Sequence, residues 1–318
     1  MTASPAASSA ASSPARDRGR LLEITAGEYV AEISTVGAML EGLTVGGRDL
    51  LVRNPETGPM QFYRGAIVAP WPNRIGDGTY TWDGQEISAP LNEPERRNAL
   101  HGLVSFQEFA VAEESAEAVV LTAVLFPSPG YPFHLELTVR HALDALTGLT
   151  TTVTARNLGA QDAPYGVCPH PYLVAGPEPL DEWLLELAAG TVLTVTEDRL
   201  LPTGTAPIAD GEDFDFRAPK QLGTLFIDHA FTDLARDAEG SLRITVTAPG
   251  GTGVELTAGP ELPWVQIHTG DRPEPENSRL GLAVEPMTCP PDAFRSGEDV
   301  VRLAPDAEHT AAWSLRGW

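Results

Sequence analysis

Glycine and proline recur so densely in this 318-residue chain, with 30 and 28 copies, that little room is left for long helices. The stretches between these breakers are short and alternating. Tyr29-Val30-Ala31-Glu32-Ile33 alternates, Gly46-Gly47 lies between Thr44-Val45 and Leu50-Leu51-Val52, and Asp83-Gly84 lies between Thr79-Tyr80-Thr81-Trp82 and Gln85-Glu86-Ile87. Both glycine-bearing turns read as hairpins; a type I′ turn needs positive φ at its two central residues. Further strands are expected over 119–126, 133–142, 148–156, 242–248, 254–258 and 264–268, with 311–315 closing the sheet. Consecutive strands joined by turns give an all-β, antiparallel architecture and not a βαβ one. At this length they predict a large antiparallel β-sandwich with few short helices. Two smaller sandwiches are the alternative, but no low-complexity linker divides 21–318, so one domain is expected there.

Residues 1–20, rich in Ala, Ser and Pro, read as a disordered tail, since such a segment cannot bury enough to order itself. It has no apolar run behind a basic start, so it does not read as a secretory signal. With 21 Lys+Arg against 44 Asp+Glu, the net charge is −23. That field opposes phosphate backbones and anionic membrane surfaces, so neither nucleic acid nor membrane is an expected partner. No apolar run reaches the roughly 18 residues of a membrane span. The field also works mildly against phosphorylated ligands, although a local Arg reverses that. Cys168 and Cys289 make no disulfide framework, and their scarcity fits a reducing, cytoplasmic setting.

Four segments break the β rhythm and concentrate polar, aromatic and proline residues. In Pro70-Trp71-Pro72-Asn73-Arg74-Ile75, two prolines stiffen the backbone ahead of an amide and a guanidinium, donors suited to a hydroxyl-rich ligand. Read locally, the same segment is a rigid turn with a surface Arg. Asn98-Ala99-Leu100-His101-Gly102 offers a His that is, by itself, equally well structural. In Cys168-Pro169-His170-Pro171-Tyr172 the imidazole of His170 is aimed by proline on both sides, a costly way to hold a surface His. In Val284-Glu285-Pro286-Met287-Thr288 and the following Cys289-Pro290-Pro291-Asp292-Ala293, Glu285 ends an apolar strand, where partial desolvation raises a carboxyl pKa; an exposed strand end is the plain alternative. His170 and Glu285 would make an acid–base pair. No nucleophile elbow, metal-ligand spacing or phosphate loop accompanies them, so no metal or cofactor is expected.

Together, in this order and over roughly 21–318, the four segments resemble the aldose 1-epimerase (galactose mutarotase-like) family. The likeness is greater to the members carrying P-W-P-N-R-I and V-E-P-x-T than to the galactose-specific ones. The resemblance implies a large β-sandwich and interconversion of the α and β anomers of a free aldose. It implies Glu285 as general base and His170 as general acid, with Asn73, Arg74, His101, Tyr172, Asp228 and Gln266 as sugar-binding positions. Pro171 after His170, Leu173-Val174 after Tyr172 and Met287 after Glu285-Pro286 depart from the galactose-specific pattern and bear on which sugar is taken, not on the reaction type.

Mutarotation moves only protons, so a carboxylate at the anomeric hydroxyl and an imidazolium at the ring oxygen suffice. Each should favour the other's charged form, and the pH–rate profile should be bell-shaped. Trp71, Tyr172 and Trp264 are candidate stacking surfaces, with core packing the alternative for all three. Cys168 and Cys289, close in sequence to His170 and Glu285, are expected near one another behind the site as free thiols. The partner implied is a small-molecule aldose, bound by a monomer or weak homodimer. A non-catalytic carbohydrate-binding protein on the same fold is the main competing reading. A lyase or glycoside hydrolase pairing Asp228 with Glu285 is another, although His170 then has no clear task.

Overall fold

A computed structural model describes residues 17–318. Of the segment expected to form a tail, residues 1–16 lie outside that range. Arg18, in the remainder, is buried, ion-paired with Glu41 at 2.6 Å and bonded to the Pro55 and Gly58 carbonyls, so packed chain begins ahead of residue 21.

The hairpins form where the turn chemistry placed them. Asp83 and Gly84 adopt φ of 47° and 80°, and Thr79–Trp82 pairs with Gln85–Ser88 across them. Gly46 and Gly47, at 56° and 78°, turn Leu40–Val45 back onto Arg48–Asp49. These last two strands close a four-stranded sheet with Leu21–Ala26 and Tyr29–Ser34.

Two larger sheets carry the rest. A nine-stranded antiparallel sheet runs in the order Ala110–Glu114, Ala118–Leu125, Leu135–Asp144, Gly148–Asn157, Glu308–Gly317, Gly253–Ala258, Leu242–Thr247, Leu184–Leu187 and Lys220–Gln221. Its long strands alternate buried and half-exposed residues, as a sheet with one core face and one wet face must. Glu308–Gly317, expected to close a sheet, instead bridges its middle, pairing with Gly148–Asn157 on one side and Gly253–Ala258 on the other. A pairing that spans more than 150 residues leaves no mark in local turn signals.

The six-stranded sheet, in the order Tyr172–Leu173, Leu282–Met287, Trp264–His268, Asp228–Leu234, Ala189–Val195 and Pro202–Pro207, is covered on both faces at its centre. All of Leu282–Met287 is buried. Ile227, Phe231, Val265, Ile267, Leu282 and Val284 point into the main core, which draws apolar side chains from Leu22 to Leu315. The opposite face presents Asp228, Gln266, His268 and Glu285, continued by an apolar patch of Trp264, Met287, Ala230 and Cys168. Among the described residues no helix is long and apolar enough to cross a membrane.

Candidate active site

Backbone pairing gathers the four segments. Arg74–Gly76 pairs with Asn98–Leu100, and the His101 amide donates to the Asn73 carbonyl at 2.8 Å, which sets Arg74 beside His101. Asn73 and His101 both take left-handed φ, 52° and 59°, so the chain turns sharply on either side of this short ladder. Asp292 fastens the fourth segment to the first: its carboxylate accepts from the Gly76 amide at 2.8 Å, and its own amide donates to the Arg74 carbonyl at 2.8 Å. His170 is held on both sides by the 65–66 backbone, its amide donating to Ala66 and its carbonyl accepting from Gly65. Tyr172 pairs with Ala283, two residues before Glu285.

These attachments surround a cleft of about 350 Å³, within the range of small-molecule sites. Every residue expected at the site lines it: Asn73, Arg74, His101, His170, Tyr172, Asp228, Gln266 and Glu285. The His170 Nε2 lies 3.4 Å from the Glu285 Oε1, and both side chains are buried. In the sheet register Gln266 stands opposite Glu285 and next to Asp228, to which its Nε2 donates at 2.6 Å. Arg74 reaches Asp228 at 3.7 Å and grips Glu93 through two bonds of 3.0 and 3.1 Å.

The cleft is polar yet unfinished. Glu285 Oε2, Gln266 Oε1, His101 Nδ1 and His170 Nδ1 are buried with no hydrogen-bond partner in the protein. Buried polar atoms are ordinarily paired, so these four, with Arg96 Nε as a fifth among the lining residues, mark groups that a polar ligand can pair. Among the described residues no cluster of three or more His, Cys, Asp or Glu is arranged to hold a metal ion.

Burial dominates the electrostatics. It pushes the Glu285 carboxyl well above its usual range, with Asp228 adding to the rise and Arg74 opposing it. It pulls the His170 imidazolium down to about 3, helped by His268. Mutual stabilisation of two charges, expected from sequence, is therefore outweighed in the cleft by the loss of water around each. The neutral and charge-separated arrangements hold the same single proton and differ only in which side of the 3.4 Å contact carries it. Asp228 differs: His268, Arg74 and the Gln266 bond outweigh its own desolvation and hold its carboxyl below the ordinary value.

Some expectations need correction. Trp71 and Trp264 are core residues, each 2% exposed and absent from the cleft; Trp71 packs on Phe294, and the Trp264 indole donates to Asp299. Only Tyr172, of the three aromatics, lines the site. Phe62, Tyr63 and Phe226 line it as well, and Tyr63 lies 4.5 Å, ring to ring, from His101. Glu93, His268 and Arg272 also belong to the lining. His268 was legible in retrospect, two residues after Gln266 and so on the same face of its strand. Glu93 and Arg272 had no local signal. Cys168 and Cys289 are free, buried thiols; burial raises the Cys168 thiol most, with Glu285 and then Cys289 adding, and burial raises the Tyr165 hydroxyl most, with Cys289 and Cys168 adding. Cys168 sits with Trp264 and Met287 in the apolar patch that continues the site face.

Comparison with known proteins agrees with this picture. A sequence profile described as aldose 1-epimerase matches residues 20–316. The uncharacterised Escherichia coli K12 protein YihR is 38% identical over 300 residues, 94% of each chain. The galactose mutarotase of Rattus norvegicus is 36% identical over 173 residues, about half of each chain at 51% and 48%. The crystal structure of a galactose 1-epimerase from Lactobacillus acidophilus superposes with a TM-score of 0.78 at 19% identity, covering 95% of this chain and 96% of that one. A fold shared across its whole length and a family match from residue 20 to residue 316 lead to one conclusion: this chain belongs to the aldose 1-epimerase family.

Proposed function

We propose that this protein is a mutarotase, interconverting the α and β anomers of a free aldose by acid–base ring opening. The observation that carries the reading is the His170–Glu285 contact of 3.4 Å inside a cleft where Glu285 Oε2, Gln266 Oε1, His101 Nδ1 and His170 Nδ1 lack partners. A sugar hydroxyl that donates to Glu285 Oε2 supplies the partner that this oxygen lacks within the protein and stabilises the carboxylate form. Glu285 then takes the proton of the anomeric hydroxyl while the His170 imidazolium protonates the ring oxygen. The bond from C1 to the ring oxygen breaks, C1 becomes an aldehyde, and rotation about the adjacent bond exposes its other face. Closure reverses the proton transfers, so both groups end as they began.

The pKa directions bear on one step of this cycle, the ring opening. Ring opening leaves Glu285 protonated and His170 neutral, the pair of forms that burial favours. The site thus stabilises the open-chain state without a net change in its own protons. Asn73, Arg74, His101, Gln266 and Asp228 serve as hydroxyl partners, and Tyr172 covers one side of the ring. Only protons move, so neither a metal nor a cofactor is called for by the chemistry.

Polarimetry on freshly dissolved α-anomers of several aldoses tests the reading. Acceleration over the spontaneous rate with at least one sugar, lost in Glu285→Gln, is the expected result. Thermal stabilisation by sugars with no acceleration for any of them would make this a binding protein instead.

A further inference from the structure

Arg74 is the most heavily committed cation in the cleft, and its strongest partner is not one of the sugar-binding residues. Its Nε and Nη2 donate to the two carboxylate oxygens of Glu93 at 3.0 and 3.1 Å, a fork-on-fork pair, and both side chains are buried. Glu93 is itself braced. Asn98 Nδ2 donates to it at 2.8 Å, Arg96 Nη1 does so at 3.3 Å, and the Glu93 and Asn98 backbones bridge each other at 3.1 Å in both directions. Arg74 Nη1 donates to Asn73 Oδ1 at 3.3 Å, and Nη2 stands 3.7 Å from Asp228. A guanidinium has five donors in a fixed plane, so gripping its back edge decides where the front edge points.

Resting on the mutarotase reading above, we propose that Glu93 is a positioning residue: it fixes the guanidinium plane of Arg74 toward the sugar and offsets the Arg74 charge felt by Glu285. The charged and titratable groups around Glu285 are Arg74, Asp228 and His170, with His268, Arg272, Tyr172 and Cys168 close by. Arg74 is the one that favours the Glu285 carboxylate among the influences acting on that carboxyl. Removing the Glu93 charge leaves the Arg74 field less compensated, which favours carboxylate. The profile of the pair therefore moves toward acid.

The test is Glu93→Gln, which keeps the shape and removes the charge. A loss in kcat/KM of about 10- to 100-fold, carried mainly by KM, is expected. Both limbs of the pH–rate profile should move toward acid by up to about one unit. Glu93→Asp keeps the charge and withdraws the fork, so KM should rise while the limbs stay in place. In an Arg74→Lys background Glu93→Gln should add little. Limbs that do not move in Glu93→Gln, or a full additional loss in the Arg74→Lys background, overturn the proposal. Should Glu93→Gln fail to fold, Asn98→Ala removes one brace with the charge kept; it should raise KM without moving the limbs, and an unchanged KM counts against the proposal. Carboxyl-carbon NMR titration of Glu285 reads the charge effect without turnover. An acidward shift in Glu93→Gln supports the role of Glu93 even if the wild type accelerates no sugar, and coincident curves overturn it even if the wild type is a mutarotase.

Discussion

His141, within the strand Leu135–Asp144, and His170, between the short strands Cys168–Pro169 and Tyr172–Leu173, are both buried, and burial lowers both, to about 4 and about 3. Their hydrogen bonding separates them. His141, in the nine-stranded sheet, is satisfied at both nitrogens, with Nε2 on the Ala38 carbonyl at 2.9 Å and Nδ1 on the Thr151 hydroxyl at 2.9 Å. Among the described residues the His170 ring has one polar contact, Glu285 at 3.4 Å, and its Nδ1 has no hydrogen-bond partner. A lowered pKa therefore marks burial and nothing more. What sets the proposed acid–base histidine apart is an incomplete set of partners beside a hollow, opposite a group of complementary proton affinity.

The sharpest way to break this comparison is to remove each imidazole. His170→Asn or Glu285→Gln should slow mutarotation by about 10²–10⁴-fold. His141→Asn should leave the rate per folded molecule unchanged. A large rate loss in the His141 variant at unaltered melting temperature would erase the distinction.

A smaller effect is expected from a group that holds the sugar without moving a proton. Arg74→Lys keeps a charge but loses the planar fork, and a KM increase on the order of 10-fold or more should appear with a lesser change in kcat, read from saturation curves. The pH–rate profile sharpens the same contrast. The pair works while it holds one proton, so activity should fall on the acid side as a second is taken up and on the alkaline side as the last is lost. A profile without an alkaline limb would place the base elsewhere than Glu285.

Stability should respond in the opposite order. His141→Ala leaves the Ala38 carbonyl and Thr151 hydroxyl without partners and should cost about 1–3 kcal/mol in denaturant unfolding. Glu285→Gln should instead stabilise at neutral pH. The folded-state pKa of Glu285 is raised, so its contribution is fully present below the unfolded value near 4.5 and is lost as pH rises toward the folded value. The variant should therefore melt higher than wild type at pH 7 and alike near pH 4. Equal melting at both would mean that the carboxyl is not desolvated as its burial implies.

The two large sheets also differ in how openly their sequences announce them. The nine-stranded sheet wears one wet face, so Ala118–Leu125, Leu135–Asp144 and Gly148–Asn157 alternate and could be read with their ends misplaced by only a residue or two, while Glu308–Gly317 begins three residues ahead of the expected 311. At the centre of the six-stranded sheet both faces are covered, and Leu282–Met287 shows no alternation in burial at all. Trp264–His268 alternates in polarity, but alternation says which side chains share a face and not what covers it. Trp264, Gln266 and His268 share a face; the first lies under the apolar patch with Met287, the other two in the cleft. That is why Trp264 was a candidate for stacking and proved to be core.

The sequence by itself determined the strand-and-turn grammar, the all-β class, and the proline-stiffened segments whose order resembles one family, because these depend on neighbours in the chain. Only the tertiary structure decided that His170 and Glu285 touch, that burial favours their neutral forms, and that Glu93 grips Arg74 from behind. Those facts depend on desolvation and on contacts between residues as far apart as 115 positions, and neither leaves a trace in local sequence.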